Sequence, residues 1–130
     1  MVTREDLESW LARLDSGAVD FKEPEPGLWI VHSEGGEVVV NYAPPVVLLR
    51  VRVMALPLAE PRRSELFRQL LELNARDLVH GSYGLEGDHV VLTDTLELEN
   101  LDFNEFEASF DSITLALASH LGALAPYREK

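Results

Sequence analysis

Apolar residues recur with two different periods along this chain, and the switches between periods divide it into elements. Leu7, Trp10, Leu11 and Leu14 stand at i, i+3, i+4 and i+7, the spacing that lines one face of a helix. Thr3 followed by Asp6 supplies a capping-box start with Asp in place of Glu, and Gly17 supplies a stop that tolerates the left-handed conformation. A first helix over Thr3–Ser16 is therefore expected. The stretch from Phe21 to Gly27 holds Pro24 and Pro26 and reads as a connecting loop.

Period two takes over next. Leu28–Ser33 and Glu37–Ala43 are rich in Val, Ile and aromatic residues, with Gly35-Gly36 between them as a two-residue hairpin turn. That turn sets Val31 opposite Val40 and Trp29 opposite Tyr42, so Trp29, Val31, Val38, Val40 and Tyr42 share one face. The other face is mixed: Leu28, Ile30, His32, Val39, Asn41 and Ala43. After Pro44-Pro45, which cannot donate to a ladder, a third strand over Val46–Leu56 is expected. It places Leu49, Val51 and Val53 on one side and Leu48, Arg50, Arg52 and Met54 on the other.

The helical period then returns. Pro61 suits a first helical turn, and Leu66, Phe67, Leu70, Leu71 and Asn74 form one stripe. A second hairpin turning near Gly87-Asp88 gathers Tyr83, Leu85, Val90 and Leu92 on one face. Asp102 with Glu105 starts the last helix, whose stripe runs through Phe103, Phe106, Phe110, Ile113, Leu117 and Leu121 before Gly122 and Pro126 end it. The order α-β-β-β-α-β-β-α describes an α+β fold, an antiparallel sheet with segregated helices. No repeat or composition break divides the 130 residues, so one domain over 1–130 is expected.

Charge narrows the choice of partners. There are 11 Lys and Arg against 23 Asp and Glu, a formal net charge of −12, and no Lys or Arg occurs from Asp77 to Tyr127. Such a surface repels phosphate, so neither nucleic acid nor an anionic membrane is an expected partner. The arginines at Arg62, Arg63, Arg68 and Arg76 alternate with Glu65 and Glu72 at helix-pair spacing and read as a solvated helix face. The start of the chain has neither a basic nor an apolar stretch, and the sequence has no cysteine; a cytoplasmic location is expected.

Candidate chemistry is sparse. His32, His80, His89 and His120 show no metal-ligand spacing and read as strand-edge or surface residues. His80-Gly-Ser-Tyr-Gly84 lacks the glycine two residues before the serine that a nucleophile elbow needs. Gly35-Gly36 is followed by a strand, which gives no phosphate cradle. No catalytic residue, metal or cofactor is expected, and the protein is not expected to be an enzyme.

The element order, together with Leu66-Phe-Arg-Gln-Leu-Leu-Glu-Leu-Asn74 leading into Gly81-Ser-Tyr-Gly-Leu85 and Val90-Val-Leu92, resembles the YbjN-domain proteins. These are similar to type III secretion chaperones of the Tir class. The resemblance covers nearly the whole chain. It implies a small acidic homodimer that binds polypeptide without ATP or metal, holding a client segment in extended form, partly by strand addition. The matching dimer helix carries Leu66, Phe67, Leu70 and Leu71. The client-binding candidates are Leu28, Ile30, Val39, Leu48 and Met54, beside Arg50 and Arg52. Two other readings stay open: a regulatory adaptor for one folded protein, and a mixed sheet face covered by the second helix of the same subunit.

Overall fold

The computed structural model describes residues 1–14, 20–33 and 36–128. Helix α1 (Arg4–Arg13) begins at the expected capping box: the Thr3 hydroxyl accepts the Asp6 N–H at 3.1 Å, and the Asp6 carboxylate accepts the Thr3 N–H at 2.9 Å. Leu14 is its C-cap. Ser16 and Gly17, expected to end this helix, lie outside the described residues, as does Gly35 of the expected turn.

Among the described residues six strands follow: β1 (Asp20–Glu25), β2 (Leu28–Ser33), β3 (Gly36–Ala43), β4 (Val46–Ala55), β5 (Ser82–Glu86) and β6 (His89–Glu97). Helix α2 (Arg62–Arg76) separates β4 from β5, and α3 (Phe103–Leu124) with a 3₁₀ turn at Ala125–Tyr127 closes the chain. All pairings are antiparallel and the sheet order is β1-β2-β3-β4-β6-β5. The fold is α+β as expected, with one strand more than the pattern suggested. The supposed loop at 21–27 contributes β1, giving α-β-β-β-β-α-β-β-α. Pro24 hid this strand, yet an edge position and a break in register between Lys22 and Glu25 accommodate it. Arg4 donates to Glu23 from α1, and Glu23 also accepts the Gly27 N–H at 2.8 Å; the two hold its carboxyl below the ordinary carboxylate range.

The β2–β3 register pairs Ser33 with Gly36, Val31 with Val38 and Trp29 with Val40. Each pair sits two positions from that expected of a Gly35-Gly36 turn. A shift of two preserves side-chain parity, so the face assignment survives although the partners change. Trp29, Val31, Val38 and Val40 are buried; Tyr42 packs half-buried against the same core.

Leu7, Leu11, Leu66, Leu70, Leu73, Phe106, Phe110 and Ile113 from the three helices join one cluster with this sheet face. Among the described residues, the sheet thus has helices on one side only. Leu28, Ile30, Val39 and Leu48 stay outside that cluster and half-buried, which answers whether α2 covers them: its apolar side lies in the other layer.

Two periodicities shift. The α3 stripe runs Phe106, Phe110, Ile113, Leu117, His120, Leu124, steps of three and four that leave Leu121 58% exposed. In β4, the register slips between Arg52 and Met54. This bulge absorbs Val53 and turns Met54 to the core, where it is 5% exposed, so Met54 is not on the mixed face as expected.

Gly81, just before β5, has φ +81°, and a Cβ there would lie 2.8 Å from the Thr93 carbonyl oxygen. Gly87, in the β5–β6 turn, has φ +59° with open space around it. Gly81→Ala should therefore cost roughly 2–3 kcal/mol and Gly87→Ala only about 1 kcal/mol, from left-handed strain alone. Urea unfolding midpoints of the two variants check the difference; equal losses would show that the close approach at Gly81 is unimportant.

Candidate functional site

Strand pairing builds the open face of the sheet as transverse rows. Leu28, Asn41, Leu48 and Thr95 stand side by side on β2, β3, β4 and β6. Ile30, Val39, Arg50 and Thr93 make the next row. A shallow groove of about 310 Å³ lies here, floored by Leu28, Val39 and Leu48 and bounded by Arg50, Glu86 and Thr95. Arg50 Nη1 donates to both carboxylate oxygens of Glu86, at 2.9 and 2.8 Å, across the intervening strand β6. Arg52 projects from the next position of this face and is exposed. Glu37 leans toward His32, at 3.7 Å.

Of the expected client-binding residues, the structure brings together Leu28, Ile30, Val39, Leu48, Arg50 and Arg52 and separates Met54. Glu86 is the residue that sequence reasoning missed. It reaches Arg50 only because β6 pairs with β4, a contact between distant segments that no local pattern announces.

A second groove, apolar and of about 240 Å³, runs between α2 and β5 along Phe67, Leu70, Leu71, Tyr83 and Leu85. Leu71 is 68% and Leu85 52% exposed. Leu66, expected on a subunit interface, is instead fully buried in the core of its own chain. The stripe is wide, and its two edges serve different purposes: Leu66, Leu70 and Leu73 face the sheet, while Phe67 and Leu71 look outward.

Polar contacts fix α2 in place above β5. The Asn74 side chain accepts the Tyr83 N–H at 2.7 Å and donates to the Tyr83 carbonyl at 3.1 Å, replacing the strand that an edge would otherwise lack. Tyr83 Oη lies 2.7 Å from His120 Nδ1, and His120 Nε2 lies 3.3 Å from Asp77 Oδ2. His120 is 4% exposed, a correction to the surface position expected for it. With the Tyr83 hydroxyl donating to Nδ1 and Nε2–H directed at Asp77, both ring nitrogens of the buried His120 have a partner.

Among the described residues, no cluster of His, Cys, Asp or Glu is arranged to hold a metal ion, and no helix is long and apolar enough to cross a membrane. The described surface carries two shallow grooves, a mixed one on the sheet face and an apolar one at its edge.

Sequence comparison gives the class. The chain belongs to the CesT_Tir_1 family, whose profile matches residues 2–130. It is similar in fold to YbjN, described as a putative transcription regulator from E. coli, with a TM-score of 0.66, 13% identity, and coverage of 94% of this chain and 93% of that one. A chain of the heterodimeric ExoU–SpcU complex from the type III secretion system of Pseudomonas aeruginosa is also similar: TM-score 0.60, 20% identity, 95% and 98% coverage. A chain of the HopA1–SchA chaperone–effector complex matches with TM-score 0.59, 13% identity, 87% and 88% coverage. A search of curated protein sequences gave no significant match. The expected resemblance to the YbjN and secretion-chaperone group thus holds for family and fold.

Burial, and then the negative charge of Asp77, push the Tyr83 phenol up to about 12 from its ordinary value of 10. Between these values the folded chain keeps a proton that the unfolded chain releases, so stability must fall as pH rises from 10 toward 12. Tyr83→Phe should flatten that alkaline decline while costing about 1 kcal/mol at pH 7, where His120 loses its donor. Denaturation across pH 7–11 checks both effects; an unchanged alkaline slope would show that Tyr83 is not its source.

Proposed function

We propose that this protein is a non-catalytic, chaperone-like module that binds an extended polypeptide on the open sheet face and works as a homodimer. The observation that carries this reading is the half-buried aliphatic surface of Leu28, Ile30, Val39 and Leu48, left uncovered because all three helices pack on the opposite side. Burying one such side chain completely is worth about 1.5–3 kcal/mol, so several together supply ample energy for holding a segment without enzymatic chemistry. Membership of the CesT_Tir_1 family and similarity to a chain of a chaperone–effector complex support it. The acidic surface disfavours nucleic acid and anionic membranes as partners, and a cytoplasmic location fits a module of this kind.

The dimer part of the proposal uses the outward edge of α2. Phe67 and Leu71, with Leu85 beside them on β5, form the accessible part of the stripe, and Leu70 floors the groove between them. Leu71→Asp is the informative substitution, since Leu70→Asp would bury a charge within the subunit itself. Sedimentation equilibrium should show a dimer for the unaltered chain and a dissociation constant at least about tenfold weaker for Leu71→Asp, with the fold intact. A chain that remains monomeric at high micromolar concentration would remove the homodimer from the reading.

The client part is tested with reduced, carboxymethylated α-lactalbumin, a permanently unfolded probe. The double variant Ile30→Ser with Leu48→Ser should lose most of its capture of this probe, by roughly tenfold or more, while its melting temperature stays close to that of the unaltered chain. A collapse of stability would show that these side chains belong to the core instead.

A further inference from the structure

Along β4, Leu48, Arg50 and Arg52 alternate outward at the two-residue period of an extended chain. A client segment lying over this face, aligned with β4, presents its own side chains at the same period. An aliphatic residue resting on Leu48 then carries its next inward-facing side chain to Arg50 and the one after that to Arg52. Arg50 is already matched with a carboxylate there, supplied by Glu86 from the far strand. Both members of that pair are about half exposed, 44% and 49%, so the pair adds little net stability and is readily exchanged.

We propose that the open face selects an extended segment of the form aliphatic–x–acid–x–acid, and that Glu86 stands in for the first client carboxylate until the client displaces it. This deepens the polypeptide-binding reading given above and rests on it. Charge complementarity is local. The chain as a whole is strongly acidic, but the centre of this face is occupied by Arg50 and Arg52, and Glu37, which lines a small pocket together with Arg52, has its carboxylate 3.7 Å from His32. The aliphatic floor of Leu28, Val39 and Leu48 accounts for the first residue of the pattern, and the two guanidinium groups account for the rest. The overall negative charge acts against any acidic client at long range, which makes the arginine pair the determinant of selection and makes binding weaken with salt only through these contacts.

The probe is the fluorescein-labelled peptide Thr-Leu-Thr-Glu-Thr-Glu-Thr, compared with counterparts carrying Gln or Lys at both Glu positions, by fluorescence anisotropy with the full chain. The Glu peptide should bind at least about threefold more tightly than the Gln peptide, and the Lys peptide most weakly. Glu86→Gln frees Arg50 and should tighten binding of the Glu peptide by about threefold or more, while Arg50→Gln should erase the distinction between Glu and Gln peptides. Melting curves confirm that each variant folds. Equal binding of all three peptides, lost in the Ile30→Ser/Leu48→Ser variant, would overturn the acidic selection and leave the open-face reading standing. Weaker binding of the Glu peptide by Glu86→Gln would show that Glu86 assists the client and does not compete with it. Absence of binding by every peptide, together with no capture of the unfolded probe, would overturn both.

Discussion

The long antiparallel pairing of β4 with β6 is the constraint from which the rest of this structure follows. It joins a four-strand meander to a hairpin that lies beyond α2 in the chain, and it extends over most of the length of both strands. Over Val46–Arg50, β4 is also held by β3 on its other side, so its backbone there is paired on both flanks and its side chains alternate between the two faces. The same pairing sets β5 at the sheet edge below α2, brings Tyr83 to His120, and lets Glu86 reach across β6 to Arg50. A single long-range register therefore positions both the edge groove and the sheet groove.

What the sequence showed, and what it hid, divides along the same line. The helices were legible because their signals are local: Thr3 with Asp6 and Asp102 with Glu105 form the capping boxes that the spacing implied. The core face of β2 and β3 was legible too, since parity depends only on alternation and survived a two-residue shift in the hairpin partners. The strand at Asp20–Glu25 was obscured by Pro24 and by alternating charge, features of an edge that resemble those of a loop. Met54 was misplaced because a bulge is a local change of phase that apolar composition does not signal when both neighbours, Val53 and Met54, are hydrophobic. Leu66 shows the opposite problem: a stripe of apolar residues on a helix identifies a buried side but does not say which of its edges faces its own sheet.

His120 and Asn74 illustrate how polar residues take part in such a layer. Each occupies a position that the hydrophobic pattern would give to an aliphatic side chain, and each is kept by a defined set of partners. An apolar replacement would leave the Tyr83 hydroxyl or its backbone groups unpaired. Polar side chains here align three elements with one another, a directional task that nonpolar contact performs poorly.

The blunted strand β1 has a consequence for assembly. Its proline, its broken register and the tether from Arg4 to Glu23 make that border of the sheet unfit to receive another strand. With one border closed, copies of this chain cannot stack head to tail through edge pairing, since such growth needs two receptive edges per molecule. The β5 border is itself partly occupied, because Asn74 bonds both backbone groups of Tyr83 there, and a symmetric junction made at this border would close on itself after two subunits. The placement of Pro24 thus acts against open-ended growth of the sheet by edge pairing from this border.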